Sequence, residues 1–166
     1  MRKFKNLIIF VGCPGSGKTT LTERIISEFS GYGISTDRIK EAVFREDIMD
    51  LEILFEIQYF IIEKLMKTGK LLVSDANSAK KWQRNKLKKL AKLKGYKTKV
   101  IYLYADRSIL EERLILRLST NEINKKAINI LDKSLQELEI PNDALRINTE
   151  LNIENNLDRI RAWIND

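Results

Sequence analysis

Residues Gly12-Cys13-Pro14-Gly15-Ser16-Gly17-Lys18-Thr19 have the types and spacing of a loop built to hold phosphate. They follow the apolar run Leu7-Ile-Ile-Phe-Val11 and open the stretch Lys18 to Phe29, where Leu21, Ile25, Ile26 and Phe29 recur at helical spacing. That strand–loop–helix context is what the pattern G-x-x-x-x-G-K-[ST] requires. Glycines let the loop turn so that successive backbone N–H groups converge on one anion, and the helix start adds its positive end. In that setting Lys18 reaches the β- and γ-phosphates of a nucleoside triphosphate, ATP or GTP, and Thr19 offers a hydroxyl to Mg²⁺. The segment Gly12 to Thr20 is thus the expected nucleotide-binding loop. Cys13 fills a variable position and reads as a small loop residue, not a nucleophile.

Two acids stand where such a loop needs partners. Asp37, in Ser35-Thr-Asp37-Arg-Ile-Lys40, follows a short apolar segment. Asp75 closes Leu71-Leu-Val-Ser-Asp75, with Asn77 two residues on. Both fall at strand ends, the edge where open α/β sheets bind ligands. One of the two could orient or deprotonate an acceptor hydroxyl and the other anchor the metal's water shell, Asp75 being the usual metal-side acid beside such a loop. The structural alternative for Asp37 is a helix N-cap. Arg113 and Arg117 lie four apart on one helix, a like-charge spacing that costs a few tenths of a kcal/mol. A transferring phosphate would offset that; solvated arginines are the alternative. Glu111, by contrast, suits Arg107. The polar stretch Ser119 to Lys126 then reads as part of a lid over about residues 113–135.

Composition removes other chemistries. The 166 residues include no histidine and one cysteine. Triads with histidine, imidazole metal sites and disulfide frameworks are therefore excluded. No apolar run approaches the ~20 residues of a membrane span. The basic start Met1-Arg-Lys-Phe-Lys5 leads into too short an apolar stretch for a signal peptide, so a cytoplasmic protein without membrane contact is expected. The net charge of +7 comes from one segment. Lys80 to Lys99 holds ten of the 30 cations and no acid, leaving 20 against 23 acids elsewhere. A solvated helix face is one reading of it. The other is a phosphate-backbone track whose near end is Lys80, Lys81 and Arg84, with Trp82 to stack on a base.

These residues are positioned by alternating elements. Strands are expected over residues 4–11, 34–36, 71–75, 97–104 and 145–149. Helices are expected over 18–29, 37–44, 51–66, 79–94, 108–118, 122–138 and 153–164. The helix over 51–66 is apolar on nearly all sides and reads as deeply packed. Leu87, Leu90 and Ala91 form the core face of the lysine-rich helix. The alternation predicts one α/β domain over 1–166, a parallel sheet of about five strands covered by helices on both faces.

Phe10-Val-Gly-Cys-Pro-Gly-Ser-Gly-Lys-Thr-Thr20 resembles the loop of the kinase domain of phage-type polynucleotide 5′-hydroxyl kinase, a P-loop kinase of adenylate-kinase-like fold. Asp37-Arg-Ile-Lys40 resembles that family's D-x-x-R segment, whose acid is the general base, with Lys40 in place of arginine. Ser74-Asp75-Ala-Asn77 is similar to its S-D-T-N segment, and Arg113 and Arg117 match its paired lid arginines. The resemblance runs from about residue 5 to 140. It departs in a shorter stretch between Asp37 and Asp75 and in the absence of a D-x-D-G segment, which removes the 3′-phosphatase half. It implies ATP-dependent transfer to the 5′-hydroxyl at a single-stranded RNA or DNA end. Related small P-loop kinases imply instead a small-molecule hydroxyl, and a nucleotide-binding module without transfer is the third reading.

Overall fold

A computed structural model describes residues 5–44, 50–117 and 121–166, apart from the side chains of 117 and 121–125. The five strands are β1 (Asn6–Val11), β2 (Tyr32–Ser35), β3 (Leu72–Asp75), β4 (Lys97–Tyr104) and β5 (Leu145–Asn148). They form one sheet in the order β2-β3-β1-β4-β5, and every pairing is parallel. Around it lie α1 (Lys18–Phe29), α2 (Thr36–Val43), α3 (Leu51–Leu65), α4 (Lys81–Leu93), α5 (Arg107–Arg117), α6 (Asn121–Glu137) and α7 (Ile153–Asn165). The α/β, P-loop, adenylate-kinase-like architecture expected from the sequence is the one observed.

The central strand shows why. β1 is buried along its whole length, so its side chains must be apolar on both faces. Leu7, Ile9 and Val11 point to one layer, with Ile39 of α2, Leu54 and Ile62 of α3 and Leu87 and Leu90 of α4. Ile8 and Phe10 point to the other, with Leu21 and Ile25 of α1 and Leu157, Ile160 and Ile164 of α7. A third, smaller cluster joins the loop after β1 to the last two helices before β5: Cys13 packs with Leu110 and Leu131.

Helix α3 departs from expectation. Only the stripe Leu54, Gln58 and Ile62 is buried, while Leu51, Ile53 and Phe60 are exposed. Spacing of four residues keeps one face on the sheet; Ile57, Tyr59, Ile61 and Leu65 flank that stripe, half-buried against the core. No helix among the described residues is long and apolar enough to cross a membrane.

Candidate functional site

The site begins where β1 runs out. Three of its loop residues are fixed by backbone geometry. Gly15 and Gly17 have φ of 81° and 84°, the left-handed region that suits glycine. A Cβ on Gly12 would lie 2.8 Å from the Leu103 carbonyl oxygen, and one on Gly15 equally close to that of Leu110. Ser16 is fully buried, and its N–H donates to the Cys13 carbonyl at 3.1 Å. Gly17 caps α1 without a side chain, so the first N–H groups of that helix open toward the loop. Lys18 crosses the loop: its Nζ donates to the carbonyls of Gly12 (2.8 Å) and Cys13 (3.0 Å) and to Ser16 Oγ (3.5 Å).

Parallel pairing brings the acids alongside. Asp75 ends β3 and stands in register with Ser35, the last residue of β2. Its carboxylate is 4% exposed and accepts a hydrogen bond from Thr19 Oγ1 at 3.0 Å. Burial pushes the Asp75 carboxyl above its ordinary range; the Thr19 hydroxyl and the Lys18 ammonium oppose that, and the nearby charge of Asp37 adds to it. A buried anion bonded to a hydroxyl is a hard-oxygen pair of the kind Mg²⁺ takes, one or two protein oxygens beside substrate phosphates. Thr19 and Asp75 therefore fit the metal.

Asp37 sits in the first turn of α2, exposed. It is not the cap: Ser35 is, its hydroxyl accepting from the Arg38 N–H. Lys40, one turn on, is exposed as well. Arg38 instead turns away and pairs with Glu23 of α1 at 2.9 Å.

Asn77 lies between the loop and α6. Its carbonyl accepts from the Gly12 N–H at 3.4 Å, its Nδ2 donates to Ser134 Oγ at 3.4 Å, and its buried Oδ1 has no hydrogen-bond partner among the described residues. Arg113 ties three elements together: Nη1 donates to Thr149 Oγ1 (2.9 Å) and the Gly15 carbonyl (3.4 Å), Nη2 to the Thr149 carbonyl (2.8 Å). Arg117 closes the same helix; its side chain, and the part of the expected lid at 118–120, lie outside the described residues. Arg107 and Glu111 pair at 2.6 Å as their spacing predicts.

Sequence reasoning missed one wall. A cleft of about 420 Å³ adjoins Gly15 and Gly17, bounded by Arg113, Leu116, Thr149 and Leu151. Thr149 and Leu151 follow β5 at the carboxyl edge, so position after the last strand was the available signal.

The basic segment is tied into the fold. Arg84, 4% exposed, donates to the carbonyls of Ser78, Ala79 and Glu139 at 2.7–2.8 Å. It clamps Ser78, whose φ of 42° is left-handed, and its burial corrects both readings of Arg84, as part of a solvated face and as part of a phosphate track. Lys88 pairs with Asp143 and Lys94 with Glu63. Lys86 covers the ring of Tyr59, and Lys99 that of Trp163. Half of the ten cations thus have partners within the protein, and one of them, Arg84, is buried.

Comparison with known proteins follows the same lines. The family profile AAA_33, described as an AAA domain, matches residues 7–139. The chain belongs to that family. No curated protein sequence matches it significantly. Among solved structures, this AAA domain is similar to a gluconokinase from Sinorhizobium meliloti 1021, with 20% identity over 98% of this chain and 93% of that one and a TM-score of 0.71. It is similar to the Mycobacterium tuberculosis APS kinase CysC in complex with AMPPNP and APS, with 16% identity over 97% and 98% and a TM-score of 0.72. It is also similar to Chaetomium thermophilum Kti12 in complex with ADP-AlF3, with 16% identity over 96% and 95% and a TM-score of 0.73. The fold is that of P-loop kinases.

Proposed function

We propose that this AAA domain transfers the γ-phosphoryl group of ATP or GTP to the hydroxyl of a small molecule. The observation that carries the reading is the grouping at one sheet edge: the glycine loop with Lys18, the Thr19–Asp75 pair at 3.0 Å, and Asp37 close enough to act on Asp75 electrostatically. Loop N–H groups from Gly12 to Thr20 and the Lys18 ammonium hold the β- and γ-phosphates. Thr19 and Asp75 would hold Mg²⁺, which supplies neutralising charge to the phosphate oxygens when bound. Asp37 accepts the acceptor's proton as its oxygen bonds to the γ-phosphorus and the bond to the β–γ bridging oxygen breaks, releasing the nucleoside diphosphate. Arg113 braces the loop through Gly15 and, with Arg117, answers the charge of the transferring group. Asp37, Lys40 and Asn77 flank the acceptor's side of the loop.

A small acceptor is favoured over a polynucleotide because Arg84 is buried against three carbonyls and Lys86, Lys88, Lys94 and Lys99 each lie against a side chain of the protein itself. A phosphate-backbone track is better served by cations without such partners. Two of the similar structures are of small-molecule kinases, a gluconokinase and an APS kinase. The deciding experiment incubates the protein with γ-labelled ATP and Mg²⁺, with 5′-hydroxyl oligonucleotides in one tube and hydroxyl metabolites in another. Label in the metabolite fraction is expected. Label in the oligonucleotide alone returns the assignment to polynucleotides, and label in neither leaves only nucleotide binding.

A further inference from the structure

A second cleft, of about 190 Å³, opens between α3 and α4, and its walls are Phe55, Tyr59, Trp82 and Leu87 with Gln58 and Lys86. Trp82 is 58% exposed, so its indole stands at the rim instead of packing in the core. Tyr59 is held still: its hydroxyl donates to the Lys86 carbonyl, and the Lys86 ammonium sits 4.8 Å from its ring centroid. A rim indole and a fixed phenol ring lining one cleft suit a flat ring.

Gln58 supplies direction. It is buried, and its Nε2 donates to the Ile34 carbonyl at 3.0 Å and to Ser74 Oγ at 3.3 Å. A carbonyl can only accept, so the amide nitrogen must face Ile34. Both N–H groups are then engaged, and the atom Gln58 can bring to the cleft is Oε1, an acceptor. Ile34 and Ser74 immediately precede Ser35 and Asp75, so the cleft is bonded to the strand ends that lead to Asp37 and carry Asp75. Its volume is below the ~300 Å³ at which whole-ligand sites begin. It takes a ring, and the remainder of the molecule must extend outside it.

Resting on the kinase reading above, we infer that the acceptor is a small alcohol carrying a flat heteroaromatic ring with an N–H donor, a nucleoside being the simplest example. The ring lies against Trp82 with its N–H on Gln58 Oε1, and its hydroxyl reaches Asp37. That hydroxyl loses its proton to Asp37 as its oxygen takes the γ-phosphoryl group, and the nucleoside diphosphate leaves.

The test pairs calorimetry with kinetics on the full chain. The four ribonucleosides and gluconate, a ringless acceptor, are titrated into protein saturated with AMPPNP, so that the nucleotide cleft is closed to them. At least one nucleoside should bind there and, in the kinetic arm with ATP and Mg²⁺ in place of AMPPNP, take the γ-phosphoryl group of ATP with release of ADP, and gluconate should do neither. Trp82→Ala should weaken that nucleoside about tenfold, leave the KM for ATP unchanged, and be rescued by Trp82→Phe. Turnover of gluconate or another ringless alcohol with a KM indifferent to Trp82→Ala overturns the inference while leaving the kinase intact. A protein that binds no nucleoside overturns it as well. Trp82-dependent nucleoside binding with no transfer to any acceptor supports the cleft and overturns the kinase reading instead.

Discussion

The loop after β1 and the cleft between α3 and α4 open on one sheet edge but are built in opposite ways. In the loop, backbone decides everything. Gly12 and Gly15 have no room for a Cβ, Ser16 is sealed, and Cys13 is packed beneath α5 and α6 against Leu110 and Leu131. In the cleft, side chains decide. Trp82 stands out from a helix that any long residue would satisfy, and Asp37 and Lys40 project from α2 into solvent. Phosphate is the same in every nucleotide and can be met by a fixed cradle of N–H groups. A hydroxyl acceptor differs from enzyme to enzyme and is met by residues the fold leaves free to vary.

The largest expected effect breaks the donor half. Lys18→Ala removes the ammonium that spans the loop, and turnover should fall by ~10³-fold, the upper end for removal of one charge-stabilising donor. Circular dichroism should show the fold unchanged, because Lys18 bonds to the loop carbonyls of Gly12 and Cys13. Near-normal turnover would falsify the donor assignment. Asp37→Asn comes next and tests the acceptor half. Proton transfer is worth about 10²- to 10⁴-fold, so kcat should drop by ~10²-fold or more while the KM for ATP holds. Since Ser35 and not Asp37 caps α2, the helix should melt as before. Equal loss of ATP affinity would move Asp37 to the metal side.

That contrast also explains what the sequence disclosed. Among the described residues all five strands and seven α-helices were legible, since β1 needs apolar residues on both faces and α4 shows Leu87, Leu90 and Ala91 at helical spacing. The loop was legible because its glycines are demanded by φ and by close carbonyls. Asp75 was legible as an acid ending an apolar strand. Helix α3 was misjudged: its composition records how apolar it is, not which neighbours cover it, and Leu51, Ile53 and Phe60 are left outside. Arg84 was misjudged for the same reason. A run of cations looks like a surface, and only the packing of residues 138–144 against the start of α4, through Glu139, shows that one of them is interior.

Arg84→Ala sharpens that last point. It frees three backbone carbonyls and releases the left-handed turn at Ser78. Charged hydrogen bonds contribute about 1.5–3 kcal/mol, so a loss of about 3 kcal/mol in unfolding free energy is expected from denaturant melts. Lys81→Ala, on the exposed side of the same helix, should cost less than about 0.5 kcal/mol. If the two variants melted alike, the clamp would be dispensable and the segment a simple charged surface.

The smallest effect reverses sign, and it lies where the two halves meet. Asp75 is buried, and burial, with the Asp37 charge behind it, holds its carboxyl above the usual range against Thr19 and Lys18. A folded-state pKa above the unfolded one means that the native state binds more protons between the two values, so stability falls as pH rises through that window. Above it the native state carries an ionised, poorly solvated carboxylate. Asp75→Asn keeps an oxygen for the Thr19 hydroxyl and removes the charge. Without nucleotide or metal, the variant should melt higher than the parent at neutral pH, the difference shrinking as pH falls through the raised value and disappearing below the ordinary carboxylate range. Its Mg²⁺-dependent turnover should fall, because the charge that burdens the empty fold is the one the metal needs. A variant that melts lower at neutral pH would show that Thr19 and Lys18 already satisfy the carboxylate, and that the metal side, like the loop, is complete in the backbone and its nearest donors.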